Sequence, residues 1–176
     1  QVMQVNKLQV ADLAQVVTHV HQGAIDVLGP VINPATVHQS KFSMGTVLAL
    51  VAQHGHAGLA EFDAHFASPA TQALRDKVSM VLDAEVDGAY PRRWIGKVTV
   101  HTLDGRVLTG RIDEPKGDPG NTLSRDEITA KALRLIDYSS AATVDEAQTA
   151  IDGLWAMASV PKVGRLLPAA QGGWPP

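Results

Sequence analysis

Apolar and polar residues alternate over 14–21. Val16, Thr18 and Val20 fall on one side, and Gln15, Val17, His19 and His21 on the other. A period of two predicts a strand. Residues 22–40 hold two glycines and two prolines, too many breakers for regular structure throughout. From Lys41 to His54 the pattern changes. Phe42, Met44, Val47, Leu48, Leu50 and Val51 go most of the way round a helix, which predicts a buried helix closed by Gly55. A short helix comes next, over 56–62. Another starts with Ser68 as N-cap and Pro69 at its first position. Val78 to Leu82 reads as a strand, Asp83 to Gly88 as a connector, and Trp94 to Thr102 and Arg106 to Ile112 as two more strands. Ser124 and Glu127 form a capping box, with Leu123 and Ile128 spaced as a hydrophobic staple, and open a helix to about Tyr138. Thr143 and Glu146 repeat the device. Their helix should bury Ala147, Ile151, Leu154, Trp155 and Ala158 and stop before Pro161. Residues 1–12 read as the tail of a helix and 162–176 as a frayed tail.

The register of the hairpin comes from the same pattern. Asp104-Gly105 is a turn signal. A two-residue turn would set Val100 opposite Thr109 and scatter the apolar side chains over both faces. A three-residue loop, 103–105, pairs Thr102 with Arg106, Val100 with Leu108 and Gly96 with Ile112. Val98, Val100, Leu108 and Ile112 then share a face, and Lys97, Thr99, His101 and Arg111 share the wet one. The turn is a type I turn with a Gly105 bulge, and Gly105 takes a left-handed conformation.

A strand, several helices, then three strands and further helices predict an α+β fold: an antiparallel sheet with helices packed on one face, followed by C-terminal helices. Composition narrows the function. The chain has 176 residues, net charge −3, 45% hydrophobic and 19% charged residues, and its signs are interspersed. With no basic run and 5% aromatics, no nucleic-acid partner is expected. No apolar run reaches the ~18 residues of a membrane helix, so no membrane association is expected. The absence of cysteine excludes disulfides, thiolate metal sites and thiol catalysis, and fits a cytoplasmic location. No signal peptide is visible, and a start at Gln1 rather than Met suggests a fragment of a longer protein.

Two blocks carry a family resemblance. Ser40-Lys41-Phe42-Ser43-Met44, opening an apolar helix that ends at Gly55, resembles the Ala-Lys-Phe-Ser block of the MmgE/PrpD family. Tyr90-Pro91-Arg92-Arg93-Trp94, the Asp104-Gly105 hairpin and Glu114-Pro115-Lys116-Gly117-Asp118-Pro119 resemble its second block. Leu123-Ser124 with Glu127 and Lys131 resembles the family's next segment. The likeness spans roughly 10–160. That family includes 2-methylcitrate dehydratase, cis-aconitate decarboxylase and iminodisuccinate epimerase, which are usually dimeric and use no metal or other cofactor. The resemblance implies a small α+β, lid-type domain over 1–122. It also implies C-terminal helices over 123–160, packing on a helical domain absent from this chain, and a tail over 161–176. Most of the family's catalytic Asp, His and Lys residues belong to the absent part. The chain alone is therefore expected to be catalytically silent. Its partners would be a small carboxylic acid and either a twin chain or the missing domain.

The residues left to touch such an acid are cations and small donors. Lys41 falls at the predicted start of the 41–54 helix, where the dipole disfavours a cation and favours a bound anion. Ser43 can donate to a carboxylate or cap the first turn. His38 lies three residues before Lys41 and would join it. Lys116 can reach an anion from a loop that Gly117 lets turn. Arg92, with Arg93, has the fork geometry for carboxylates, or pairs with Asp83, Glu85 or Asp87. Each of these residues also reads as a solvated surface group. Tyr90 reads as a packing residue, and His65 and His101 as surface ones. His19 and His21 would need a third ligand to hold a metal. No His-Glu-x-x-His, phosphate loop or Gly-x-Ser-x-Gly occurs. The rival class is a free-standing, non-catalytic binding or dimerisation module. Residues 1–12 and the helix from Thr143 discriminate: they pack on a missing domain in the enzyme reading, and on this chain or its twin in the module reading.

Overall fold

The computed structural model describes residues 1–162, which divide into two compact units, Gln1–Thr122 and the residues from Leu123 on. The first unit is built on a sheet of four strands: β1 (Leu13–Val20), β2 (Val78–Leu82), β3 (Gly96–Thr102) and β4 (Val107–Ile112). Their order is β2-β1-β3-β4. β1 runs antiparallel to β3, and β3 to β4, but β1 and β2 are parallel, so the sheet is mixed and mostly antiparallel. The parallel pair results from the long helical crossover between β1 and β2.

The hairpin has the register that its side-chain pattern demands. Val100 pairs with Leu108 and Gly96 with Ile112. Gly105 has φ of 87°, its N–H donates to the Thr102 carbonyl at 3.0 Å, and the Thr102 N–H donates to the Arg106 carbonyl at 3.0 Å. Thr102 also donates its hydroxyl to Asp104 within the turn. The strands are shorter than expected: Trp94, Ile95 and Arg106 lie outside them.

Pleating puts Val16, Val98, Val100 and Leu108 on one face. There they pack with Leu8, Leu13, Ala49 and Leu74, under helices α1 (Val2–Val5), α4 (Met44–His54) and α6 (Pro69–Arg75). Residues 1–12 are thus not a helix tail but a single turn of helix, a connector carrying the core residue Leu8, and a 3₁₀ turn over Val10–Asp12. Val2 and Met3 pack against the chain's own core. Gly110 permits this, since a Cβ there would lie 2.5 Å from Val2 Cγ2. Ile112, on the same face near the sheet's end, stays 46% exposed.

The crossover carries more helix than the breakers suggested: α2 (Gln22–Leu28) and α3 (Val37–Ser40). α4 begins at Met44, not Lys41, because Ser43 takes the N-cap position. It is not buried all round. Thr46, Ala49 and Leu50 face inward while Val51 is 41% exposed. The next helix, α5, runs Leu59–His65, later than expected, because Gly58 and Glu61 form its cap. α6 starts with Ser68 and Pro69 as the sequence indicates. Asp83 is not mere connector but the N-cap of α7 (Ala84–Ala89), accepting from the Glu85 and Val86 N–H groups.

The second unit holds α8 (Arg125–Ser139) and α9 (Val144–Ala156), each opened by its capping box. Ala147 and Ile151 are buried and Trp155 half-buried, its indole N–H donating to Thr129 at 3.3 Å under the Arg125 guanidinium. Leu154 and Ala158, expected inside, are exposed within this unit. The tail over 163–176 lies outside the described residues. Among the described residues no helix is long and apolar enough to cross a membrane.

Candidate functional site

The expected anion site around Lys41 is a turn between two helices. α3 is capped by Thr36, whose hydroxyl accepts from Gln39 N–H at 3.1 Å. Lys41 is the C-cap of α3: its N–H donates to the His38 carbonyl at 3.2 Å. A cation is favoured there, at the negative end of a dipole. Lys41 therefore does not sit at local cost on a helix N-terminus, contrary to the expectation from the apolar pattern. Its ammonium lies 6.0 Å from the Phe62 ring centre. Ser43 is 1% exposed, and its oxygen accepts from the Thr46 N–H at 3.3 Å and the Thr46 hydroxyl at 3.0 Å. It is the cap of α4. His38 is exposed, its ring 5.3 Å from that of Phe42. His38, Lys41 and Ser43 are brought together, but mainly by sequence proximity.

The second group forms around the end of β4. Gly117 has φ of 109°, and its N–H donates to the Asn121 carbonyl at 2.8 Å. The Asn121 amide donates to the Glu114 carbonyl at 3.0 Å and closes the loop. Lys116 is exposed on its tip. Arg93 reaches this loop through Asp113, at 3.6 Å, and a recess of about 330 Å³ lies between Arg93, Asp113, Glu114 and Asn121. Arg92 is exposed. Asp83 and Glu85, offered as partners of this arginine pair, are instead held by Lys97 and Arg111, and Asp87 accepts from the Gln22 N–H at 2.8 Å. α4 packs on edge strand β2, whereas the 113–121 loop leaves edge strand β4. Three strand spacings, about 14 Å, separate those edges.

What the sequence did not reveal is a row of charge on the open sheet face. His19, Lys97 and Arg111 stand side by side across β1, β3 and β4. Lys97 donates to Asp83 at 2.7 Å and Glu85 at 2.9 Å. Arg111 grips both oxygens of Glu85, at 2.7 and 2.9 Å, and Asp113 at 2.7 Å. His19 Nε2 is 2.9 Å from the Thr99 hydroxyl, and its Nδ1 is 3.7 Å from Asp83. Hydrogen bonds from Arg111 and then Lys97 hold Glu85 down to about 2, and Lys97 likewise lowers Asp83. Asp83 and Glu85 in turn raise Lys97. The signal was the predicted wet face itself, but two of its anions, Asp83 and Glu85, come from the start of a helix that the sequence did not announce.

Three of the histidines, His21, His54 and His65, are spent on ring stacking. His21 stacks on Tyr90 at 3.9 Å and accepts from the Ala24 N–H at 3.1 Å, with Trp94 edge-on. His54 stacks on His65 at 4.6 Å, so His65 is not simply a surface residue. His101 is half-buried on its strand rather than fully exposed. His56 pairs with Glu61 at 3.1 Å. Partial burial raises Glu61, but the N–H groups of Glu61 and Gly58 and the nearby His56 and His54 outweigh it and lower the carboxyl. Among the described residues no group of three or more His, Asp or Glu side chains is placed to hold a metal ion. An apolar groove of about 1030 Å³ is lined by α1, α4 and the sheet, with Val2, Leu48, Val51 and Val98 among its walls.

The arrangement offers cations, hydroxyls and backbone donors, the groups that hold carboxylates. A search of curated proteins returns no match to this chain. A scan of known families matches residues 1–157 to the MmgE/PrpD C-terminal domain, so the match covers both blocks, the hairpin and both C-terminal helices. The chain therefore belongs to the MmgE/PrpD family, as its C-terminal domain.

Proposed function

We propose that this chain is the C-terminal part of a lyase or isomerase acting on a small di- or tricarboxylic acid, most simply a dehydratase. Its share of the work is to hold carboxylates at two separate places, through Lys41 with His38 and Ser43 near one edge of the sheet, and through Arg92 and Lys116 with the Gly117 turn away from it. The family match over 1–157 carries this reading. Dehydration, decarboxylation and epimerisation of such acids all need a base to move a proton beside a carboxylate, and cations to neutralise that carboxylate. The candidate residues of this chain supply the second requirement. The purified chain should therefore bind small carboxylates and turn over none of 2-methylcitrate, cis-aconitate or iminodisuccinate. Measurable turnover of any of them would place a working base here and sink the division of labour.

One observation favours the rival reading, a non-catalytic binding or dimerisation module. Val2, Met3 and Leu8 pack against the chain's own core, as a self-contained module requires. A dimer that persists on dilution in light scattering, with no carboxylate binding, would establish that reading instead.

A further inference from the structure

Lys41, Arg92 and Lys116 do not line the apolar groove of the first unit. Its volume, about 1030 Å³, matches the upper end of small-molecule sites, about 300–1,000 Å³. β1, from Leu13 to Val20, forms its floor and is about 25 Å long.

Charge is spread unevenly along this floor. The chain carries 18 acidic residues, yet no aspartate or glutamate is among the described residues that line the groove. Lys97 and Arg111 reach the end near Val20, but Asp83, Glu85 and Asp113 already hold them. Trp94 and Ile112 offer apolar surface at that end, 54% and 46% exposed. Lys7 and Lys77 line the Leu13 end. Lys77 is half-buried, and its ammonium donates to the Leu13 carbonyl at 2.6 Å. Lys7 follows α1 and directly precedes Leu8, which shares a core cluster with Leu13. Among the described residues neither lysine has a carboxylate partner. A half-buried ammonium without a counter-ion is unfavourable.

Two unanswered cations at one end, with apolar walls beyond them, fit a carboxylate that carries a long apolar tail. An amphipathic partner helix fits less well, since its acidic flank would need cations along the whole groove. We propose that the groove binds a long-chain monocarboxylate, its head at Lys7 and Lys77 and its tail running toward Trp94 and Ile112. This site is independent of the one proposed for small acids.

Calorimetric titration of the whole chain with dodecanoate, below its micelle concentration, tests this, with dodecanol as the uncharged probe. Dodecanoate should bind about tenfold tighter than dodecanol, or better. Lys77→Met keeps the stem and removes the charge. It should weaken dodecanoate about tenfold and leave dodecanol unchanged. Lys7→Gln, at an exposed position, should act in the same direction and serves where Lys77→Met does not fold. Val51→Asp puts an anion on the wall and should weaken both ligands. Equal binding of acid and alcohol, or an unchanged ratio in both lysine variants, overturns the proposal. So does a chain that binds neither, even if an acidic amphipathic peptide binds in their place.

Discussion

Gly110→Ala tests whether the N-terminal segment belongs to this core. The new methyl would lie 2.5 Å from Val2 Cγ2 and 3.1 Å from Val98 Cγ1. β4 is a sheet strand and Val98 is held by its pairing, so the element free to yield is α1, a single turn at the chain's end. Two routes bound the cost. If α1 stays, overpacking costs about 1–3 kcal/mol. If α1 lifts off, the chain forfeits the burial of Val2 and Met3, both only half-buried. At half of a full side chain's worth that is about 2 kcal/mol for the pair. Both routes centre near 2 kcal/mol, or about 4–8 °C in Tm for a chain of this size. Urea unfolding followed by far-UV circular dichroism measures it. The decisive comparison is the double-mutant cycle with Val2→Ala. In that background Gly110→Ala should cost almost nothing, since its main clash is gone and alanine lowers the entropy of the unfolded chain. A loss below about 0.5 kcal/mol in the single variant, or an equal loss in both backgrounds, would mean that α1 does not rest on the sheet as described.

The turn, the charge row and the caps yield further expected outcomes. Gly105→Ala should cost about 1–2 kcal/mol in the same urea assay, because φ of 87° disfavours any L side chain even though no atom lies within 4 Å of a Cβ there. The Glu85 carboxyl is lowered from 4.5 to about 2, so its contribution is complete above pH 4.5 and vanishes as pH falls toward 2. The urea midpoint should fall across that window, and Arg111→Gln should flatten the fall; an unchanged slope would mean that the pair does not form in solution. Ser124→Ala and Thr143→Ala should each cost about 1 kcal/mol of helix stability, read as earlier loss of ellipticity on heating.

Elements whose determinants are local were legible in the chain. The caps at Ser68, Ser124 and Thr143, the Gly55 terminus, the strand 78–82 and the whole hairpin register rest on residues a few positions apart. Their physics is complete within that span. Even there, neighbouring caps compete: the apolar run from Phe42 suggested a helix from Lys41, but the Ser43 hydroxyl caps the Thr46 amide and leaves Lys41 ending α3. The sequence likewise indicated the α+β class and, through two motif blocks, the family.

What the residues could not reveal is who meets whom across long separations. Glu85 meets Arg111 across 26 positions, Asn33 meets Arg75 across 42, and β1 pairs with β2 in parallel through a crossover of several helices. A strand pattern fixes which face a side chain takes, not which strand lies beside it. Val2 and Leu8 look like any terminal apolar residues until Gly110 opens a place for them on the sheet. By itself the chain determined its local turns, caps and faces, because those energies are decided by neighbours in sequence. The charge row and the seat of α1 were decided only by the tertiary structure, because their energies depend on burial and on partners that folding alone brings within reach.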